Sequence, residues 1–334
     1  MDKKVIFAVA GSGKTTYIIN NLSLQKRSLI ITYTDNNYYN LFNKIIKKFN
    51  GKWPSNVVLM TYFSFLYKFC FKPFLSDRVN AKGLIFENNP NKFLTQNNPS
   101  YYMTTNRYLY SNRLAFLLEN MGIIQDVQRR LERYFDEFVI DEVQDIAGRD
   151  FNLIEHLMSS NINMLFVGDF NQHLYDSSRD GNKNCSLFDD IKKYEKRYLD
   201  KEFTIDYTTL QKSYRCSEEI CKFVRNNLGI NMYSHNSNSS SIELITEKSE
   251  INKILSNKKI IKLHYQNSAK FGAGHKNWGD TKGEDHYHDV CVMLNKKTAK
   301  YFTTNKLIEL PKITKNKLYV AITRARGNVY FIAE

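Results

Sequence analysis

The run Val5-Ile6-Phe7-Ala8-Val9 is apolar enough to form a buried strand, and it passes directly into Ala10-Gly11-Ser12-Gly13-Lys14-Thr15-Thr16. That junction constrains the chain more than any other stretch. A strand that turns through small residues into a helix leaves several backbone N–H groups facing into the turn, where they can surround an anion. Lys14 is suited to neutralise the β and γ phosphates of a nucleoside triphosphate, and Thr15 to offer its hydroxyl to Mg²⁺. The helix opening at Thr15 would aim its positive end at the same charge. Ala8 stands where the strict phosphate-loop pattern has Gly, and Ala is still small enough for the close approach. The pattern calls for ATP or a similar nucleotide without saying how its energy is used.

Charge narrows the choice of partner. Lys and Arg number 48 against 34 Asp and Glu, a formal charge of +14, which favours a polyanion over acidic small molecules. With 22 Tyr and 22 Phe able to stack bases, nucleic acid is a better match than a membrane surface. The five cysteines (Cys70, Cys185, Cys216, Cys221, Cys291) have neither disulfide-framework nor zinc spacing. A reducing, cytoplasmic setting follows as the expectation. The apolar run after Lys3-Lys4 is too short for a signal peptide, and no stretch approaches membrane-spanning length.

Taken in order, Ser28-Leu29-Ile30-Ile31 and Val57-Val58-Leu59-Met60 read as further buried strands alternating with helices, hence a parallel sheet. They end in Thr32-Tyr33-Thr34 and Thr61-Tyr62-Phe63-Ser64, on the edge of the sheet where ligands bind. Residues 72–98 are Asn-rich and read as an irregular surface excursion. A strand pair within 101–110 and helices over about 111–120 and 125–134 complete a block, about 72–134, that looks inserted into the first domain. Phe138-Val139-Ile140 then runs into Asp141-Glu142-Val143-Gln144-Asp145. A strand ending in two acids suits nucleotide hydrolysis: Asp141 can hold the metal shell while Glu142 orients and deprotonates the attacking water. Another strand, Met164 to Val167, leads into Gly168-Asp169-Phe170-Asn171-Gln172-His173-Leu174-Tyr175.

In this order, Ala-x-Ala-Gly-Ser-Gly-Lys-Thr-Thr, Asp-Glu-Val-Gln-Asp and Val-Gly-Asp-x-x-Gln-x-x-Tyr resemble motifs I, II and III of the superfamily 1 helicases of the UvrD/Rep/PcrA type. The second half agrees: Leu210 to Arg215 resembles motif IV, Thr281-Lys282-Gly283 with Val290-Cys291-Val292 motif V, and Leu318 to Arg326 motif VI. The resemblance runs from Val5 to Ile332. It implies an α/β fold with two RecA-like P-loop domains and parallel sheets, about 1–180 and 181–334, the first carrying the small helical insertion. It implies that ATP and Mg²⁺ meet Ala10, Gly11, Ser12, Gly13, Lys14, Thr15 and Thr16, with Thr15 and Asp141 on the metal and Glu142 as base. Gln172 would sense the γ-phosphate, and Gln144 and Asp145 would link the nucleotide to motifs that touch nucleic acid. Arg215 and Arg324 would complete the charge shell, and Tyr214 would pack on adenine. The acid on the ribose would be Glu284 or Asp285, with Glu284 carried forward. Thr32, Tyr33, Thr61, Tyr62 and Tyr175 would lie along single-stranded DNA, or RNA.

Several departures accompany the likeness. Family members usually carry a Gln motif upstream of the phosphate loop, whereas here Met1 to Lys4 precede the first strand. Phe63 replaces a His, Asp176-Ser177-Ser178 replaces an aromatic-Arg-Gly, and the interval between Arg215 and Thr281 lacks a large subdomain. His286, His288 and Asp289 are read as loop residues and not as metal ligands. The function expected is an ATP-dependent single-strand translocase or helicase moving 3′ to 5′. The rival is an ATP-switched, nucleic-acid-binding regulatory subunit of a nuclease or replication complex.

Overall fold

The computed structural model describes residues 1–174 and 182–333. Its contacts divide them into two units: residues 1–6, 15–168 and 182–206, and residues 7–14, 169–174 and 207–333.

In the first unit, β1 (Lys3–Phe7), β2 (Ser28–Thr32) and β3 (Val57–Thr61) are the apolar runs seen in the sequence. They are followed by β4 (Gly83–Ile85), β5 (Tyr108–Tyr110), β6 (Glu137–Asp141), β7 (Asn163–Gly168) and β8 (Thr204–Asp206). Six form one sheet in the order β3-β2-β6-β7-β1-β8, with parallel registers such as Thr32 opposite both Thr61 and Asp141. Every residue of β2 and β6 is buried, as expected of inner strands covered on both faces. The parallel registers bring the carboxyl ends of β2, β3, β6 and β7 to one edge, which sets Thr32, Thr61, Asp141 and Gly168 along it. Helix Asp35–Lys48 connects β2 to β3; the Thr34 hydroxyl caps it by accepting from the Asn37 N–H, and Asp35 and Lys47-Lys48 complement its dipole.

The insertion differs from its expected form at two places. Residues 65–71 form a π-helical turn (Phe65–Phe71) running into helix Lys72–Val79, so the excursion expected to be irregular over 72–98 begins as a helix. Five of the seven π-turn residues are buried, so packing of its aromatics sustains a backbone that local propensity does not favour. The strand pair exists, but Tyr108–Tyr110 pairs in parallel with Gly83–Ile85, while Pro99–Tyr102 is a short helix. Helices Ser111–Asn120 and Ile124–Tyr134 stand as expected.

In the second unit, β9 (Lys212–Ser213) pairs with β10 (Tyr233–Ser234). A five-stranded sheet follows from β11 (Ile242–Leu244), β12 (Ile261–His264), β13 (His275–Asn277), β14 (Val290–Leu294) and β15 (Val329–Ala333), in the order β11-β15-β14-β12-β13. Val290, Val292 and Leu294 from β14, Phe331 from β15 and Leu318 and Ile322 from helix Lys312–Ile322 share its core. That helix stops before Arg324, which therefore lies in the turn beyond it. Both units have the α/β architecture with parallel sheets of RecA-like domains.

Candidate functional site

Gly11 (φ 70°) and Gly13 (φ 83°) both take left-handed backbone, which turns successive N–H groups of the phosphate loop to one side. The loop is packed tightly. A Cβ on Gly11 would stand 2.7 Å from both the Arg215 Cβ and the Ser213 Oγ, and the Gly11 carbonyl accepts from the Tyr214 N–H at 2.9 Å. Gly is thus required here for conformation and for space. Ser12 is 2% exposed and its hydroxyl has no hydrogen-bond partner among the described residues. An orphaned hydroxyl inside a ring of amides fits an anion bound there. Lys14 and Thr15 follow at the start of helix Lys14–Asn21, with Thr16 exposed behind them.

One tyrosine joins this loop to two other motifs. The buried Tyr319 hydroxyl accepts from the Ala10 N–H at 2.8 Å and donates to the Asp169 carboxylate at 2.9 Å. Burial and the Asp169 charge hold its pKa well above the usual phenol value. Sequence reading passed over Tyr319, although its place five residues before Arg324 puts it on the same helix as that motif. Gln172 is buried, and its carbonyl accepts from the Lys282 ammonium at 3.0 Å.

The two acids are set by the end of β6. Asp141 is its last residue and is 2% exposed; Glu142 follows in left-handed backbone, φ 56° and ψ 47°. For a residue with a Cβ that conformation costs about 1–2 kcal/mol, and such strain gathers at functional positions. It turns the Glu142 side chain out of the strand, where its carboxylate accepts from the Gln144 amide at 2.6 Å. Gly168 leaves room for that amide, because a Cβ there would lie 2.3 Å from the Gln144 Oε1.

The arginines are placed by a loop. Arg324 is 2% exposed, donating to the carbonyls of Val320 (3.2 Å), Thr281 (3.2 Å) and Glu284 (3.0 Å). Arg215 donates to the Thr323 carbonyl at 2.9 Å and is paired with the Asp285 carboxylate, which also lies 3.8 Å from Arg324. Burial first, then the neighbouring Arg215 charge, pushes the Arg324 pKa down to about 10 despite Asp285. The acid beside both arginines is therefore Asp285 and not Glu284, whose carboxylate is tied to Lys276 and to the Tyr287 hydroxyl. Both acids are candidates for the ribose; the loop sends Asp285 to the arginines and Glu284 to Lys276 and Tyr287. The extra residue in the loop shifts the pattern by one, and only the fold reveals which carboxylate turns inward. Tyr214 is 66% exposed and stacks on His235 at 4.1 Å and 12°, so one face is covered and the ring still offers surface to a flat ligand.

Among the rim residues, Tyr33 is half-buried, its phenol pKa raised by burial and then by the charges of Asp150 and Asp145. Thr61 caps the turn Tyr62–Ser64 through its hydroxyl. Tyr62 and Thr32 are completely buried. A ring enclosed on every side has no face for a base, so Tyr62 packs as core here, and Thr32 can meet a strand only through backbone. Tyr175 and Asp176-Ser177-Ser178 lie outside the described residues.

Comparison with known proteins agrees with these motifs. The profile of a family described as an AAA domain matches residues 2–178, more than half of the chain. The chain belongs to that AAA domain family. It is 25% identical over 315 residues to the ATP-dependent DNA helicase Rep of Buchnera aphidicola, an alignment covering 74% of this chain and 46% of that protein. The chain thus spans about half the length of the Rep protein it matches. Two structures of arterivirus nonstructural protein 10, a helicase, superpose with TM-scores of 0.53 and 0.54 at 13% and 12% identity. They cover 99% of this chain and 60% and 59% of theirs; the first is a complex with DNA. Such identities speak for the fold alone. The Rep relative agrees with the resemblance of the motif series to the UvrD/Rep-like superfamily 1 helicases. None of its described helices is long and apolar enough to cross a membrane.

Proposed function

We propose that the chain hydrolyses ATP to move along single-stranded DNA in the 3′ to 5′ direction, using two motor domains of about 1–180 and 181–334. The observation that carries this reading is the packing of the phosphate loop at Gly11 against Ser213 and Arg215, with Arg324 sharing the Asp285 carboxylate with Arg215. A loop that cradles phosphates and two guanidiniums belonging to the same unit form the charge shell that phosphoryl transfer requires.

In this reading the amides of Ala10 to Gly13 and the Lys14 ammonium hold the β and γ phosphates, while Tyr214 packs on the adenine. Mg²⁺, held by Thr15 and Asp141, would supply positive charge to the phosphate oxygens. Glu142, steadied by the Gln144 amide, takes the proton of the attacking water. Gln172 responds to the γ-phosphate, and Arg215 and Arg324 stabilise the charge of the transition state. Tyr33 and Thr61, with the backbone at Thr32 and Tyr62, meet the DNA strand, and the formal charge of +14 supports affinity for its phosphates.

The test is ATP turnover with no nucleic acid, with single-stranded DNA and with single-stranded RNA. Turnover is expected to be low alone and to rise with DNA; a rate indifferent to both strands overturns the proposal. Stimulation without movement, read by displacement of streptavidin from a biotinylated strand end, would favour the regulatory subunit.

A further inference from the structure

The ring at the end of β2 is the first of three. Phe63, two residues beyond β3, has its ring centroid 5.7 Å from that of Tyr33, and Phe86, directly after β4, meets Phe63 edge to face at 5.1 Å and 88°. Each ring follows the carboxyl end of a strand in the first unit, and the row ends in an exposed ring. Tyr33 and Phe63 are half-buried, whereas Phe86 is 69% exposed. A single exposed phenyl group is ordinary. An exposed ring that is propped by a second, itself in contact with a rim tyrosine, is a continuous aromatic track.

The surroundings are cationic. Residues 81–93 and 104–110 carry Lys82, Lys92 and Arg107 against the single carboxylate of Glu87. Lys82 and Arg107 are exposed and joined through backbone, the Lys82 N–H donating to the Arg107 carbonyl at 2.8 Å. They stand at the start of the β4–β5 ribbon, about 13 Å from its Phe86 end at strand rise. Tyr108, 40% exposed, lies across the ribbon at Gly83, where a Cβ would sit 3.4 Å from its ring. Flat rings flanked by cations at this spacing match bases and phosphates of a polynucleotide.

We infer that Phe86, supported by Phe63, is a base-stacking position for single-stranded nucleic acid, and that it extends the strand path from Tyr33 into the insertion. The inference rests on the proposed function, since it needs a strand at the rim.

Fluorescence anisotropy with an oligothymidylate tests it. Phe86→Ala is expected to weaken binding by about 5- to 150-fold, the range of one lost stack, with thermal unfolding unchanged. Phe93→Ala, which removes a ring 95% exposed and without ring contacts among the described residues, is expected to bind as wild type. Tryptophan emission in Phe86→Trp should be quenched by the oligonucleotide. If wild type binds and Phe86→Ala binds equally well, the inference falls alone and the row belongs to a protein partner or to packing. If wild type binds no strand, the proposed function falls first and the inference with it.

Discussion

The acid end of β6 and the arginine cluster of the second unit are positioned by opposite means. Glu142 owes its direction to one strained residue and one amide, the left-handed turn after β6 and the Gln144 side chain. Arg324 is enclosed by three carbonyls and held nearly out of solvent, with Asp285 shared between it and Arg215. In the proposed reading, a carboxylate that exchanges a proton with water is left adjustable, whereas cations that only supply charge are fixed by the loop around them. The comparison predicts that loss of Glu142 chemistry should spare the fold, while loss of Arg324 should not.

The largest effects test that contrast directly. Glu142→Gln should bind nucleotide and unfold at the wild-type temperature while kcat falls about 10²- to 10⁴-fold. Arg324→Ala should lose about 10³- to 10⁵-fold and also several degrees in Tm, because three carbonyls, two of them buried, lose their donor. Single-turnover hydrolysis and differential scanning fluorimetry on the same samples separate the two. Near-wild-type turnover in Glu142→Gln would remove it from the role of base.

A smaller effect sharpens the assignment within the loop. Asp285→Asn should release Arg215 and change kcat by roughly ten- to a hundred-fold, the scale of a catalytic group displaced by about 1 Å, whereas Glu284→Gln should alter mainly Tm by weakening its ties to Lys276 and Tyr287. The reverse pattern, with Glu284→Gln raising KM for ATP and Asp285→Asn silent, would favour a ribose contact at Glu284.

The smallest effect lies far from either site and serves as a baseline. Hydrogen bonds from the Arg27 side chain and backbone pull the Asp136 pKa down to about 2. Its folded value lies below that of the unfolded chain, about 3.9. The pair therefore contributes stability above pH of about 4, and that contribution is lost as pH falls through about 2. Asp136→Asn should lower Tm slightly at neutral pH, since the pair is at the surface, and the difference from wild type should close on acidification.

The sequence by itself determined the phosphate loop, the acids after β6, the order of the six motifs and the alternation of strand and helix. These are local: each depends on a strand ending in particular side chains, and spacing along the chain records that. What reached across the chain was decided by tertiary structure. The π-helical turn at Phe65–Phe71 exists because aromatics pack around it, against local preference. Tyr319 reaches Ala10 and Asp169 across more than a hundred residues, and Phe86 meets Phe63 from a strand of a separate ribbon. Tyr62 and Tyr33 look alike as residues following strand ends, yet one is enclosed and the other is not, because burial is a property of what packs on a residue from elsewhere. Asp285 and Glu284 differ by one position in a loop, and only the folded backbone sets which carboxylate meets the arginines and which meets Lys276.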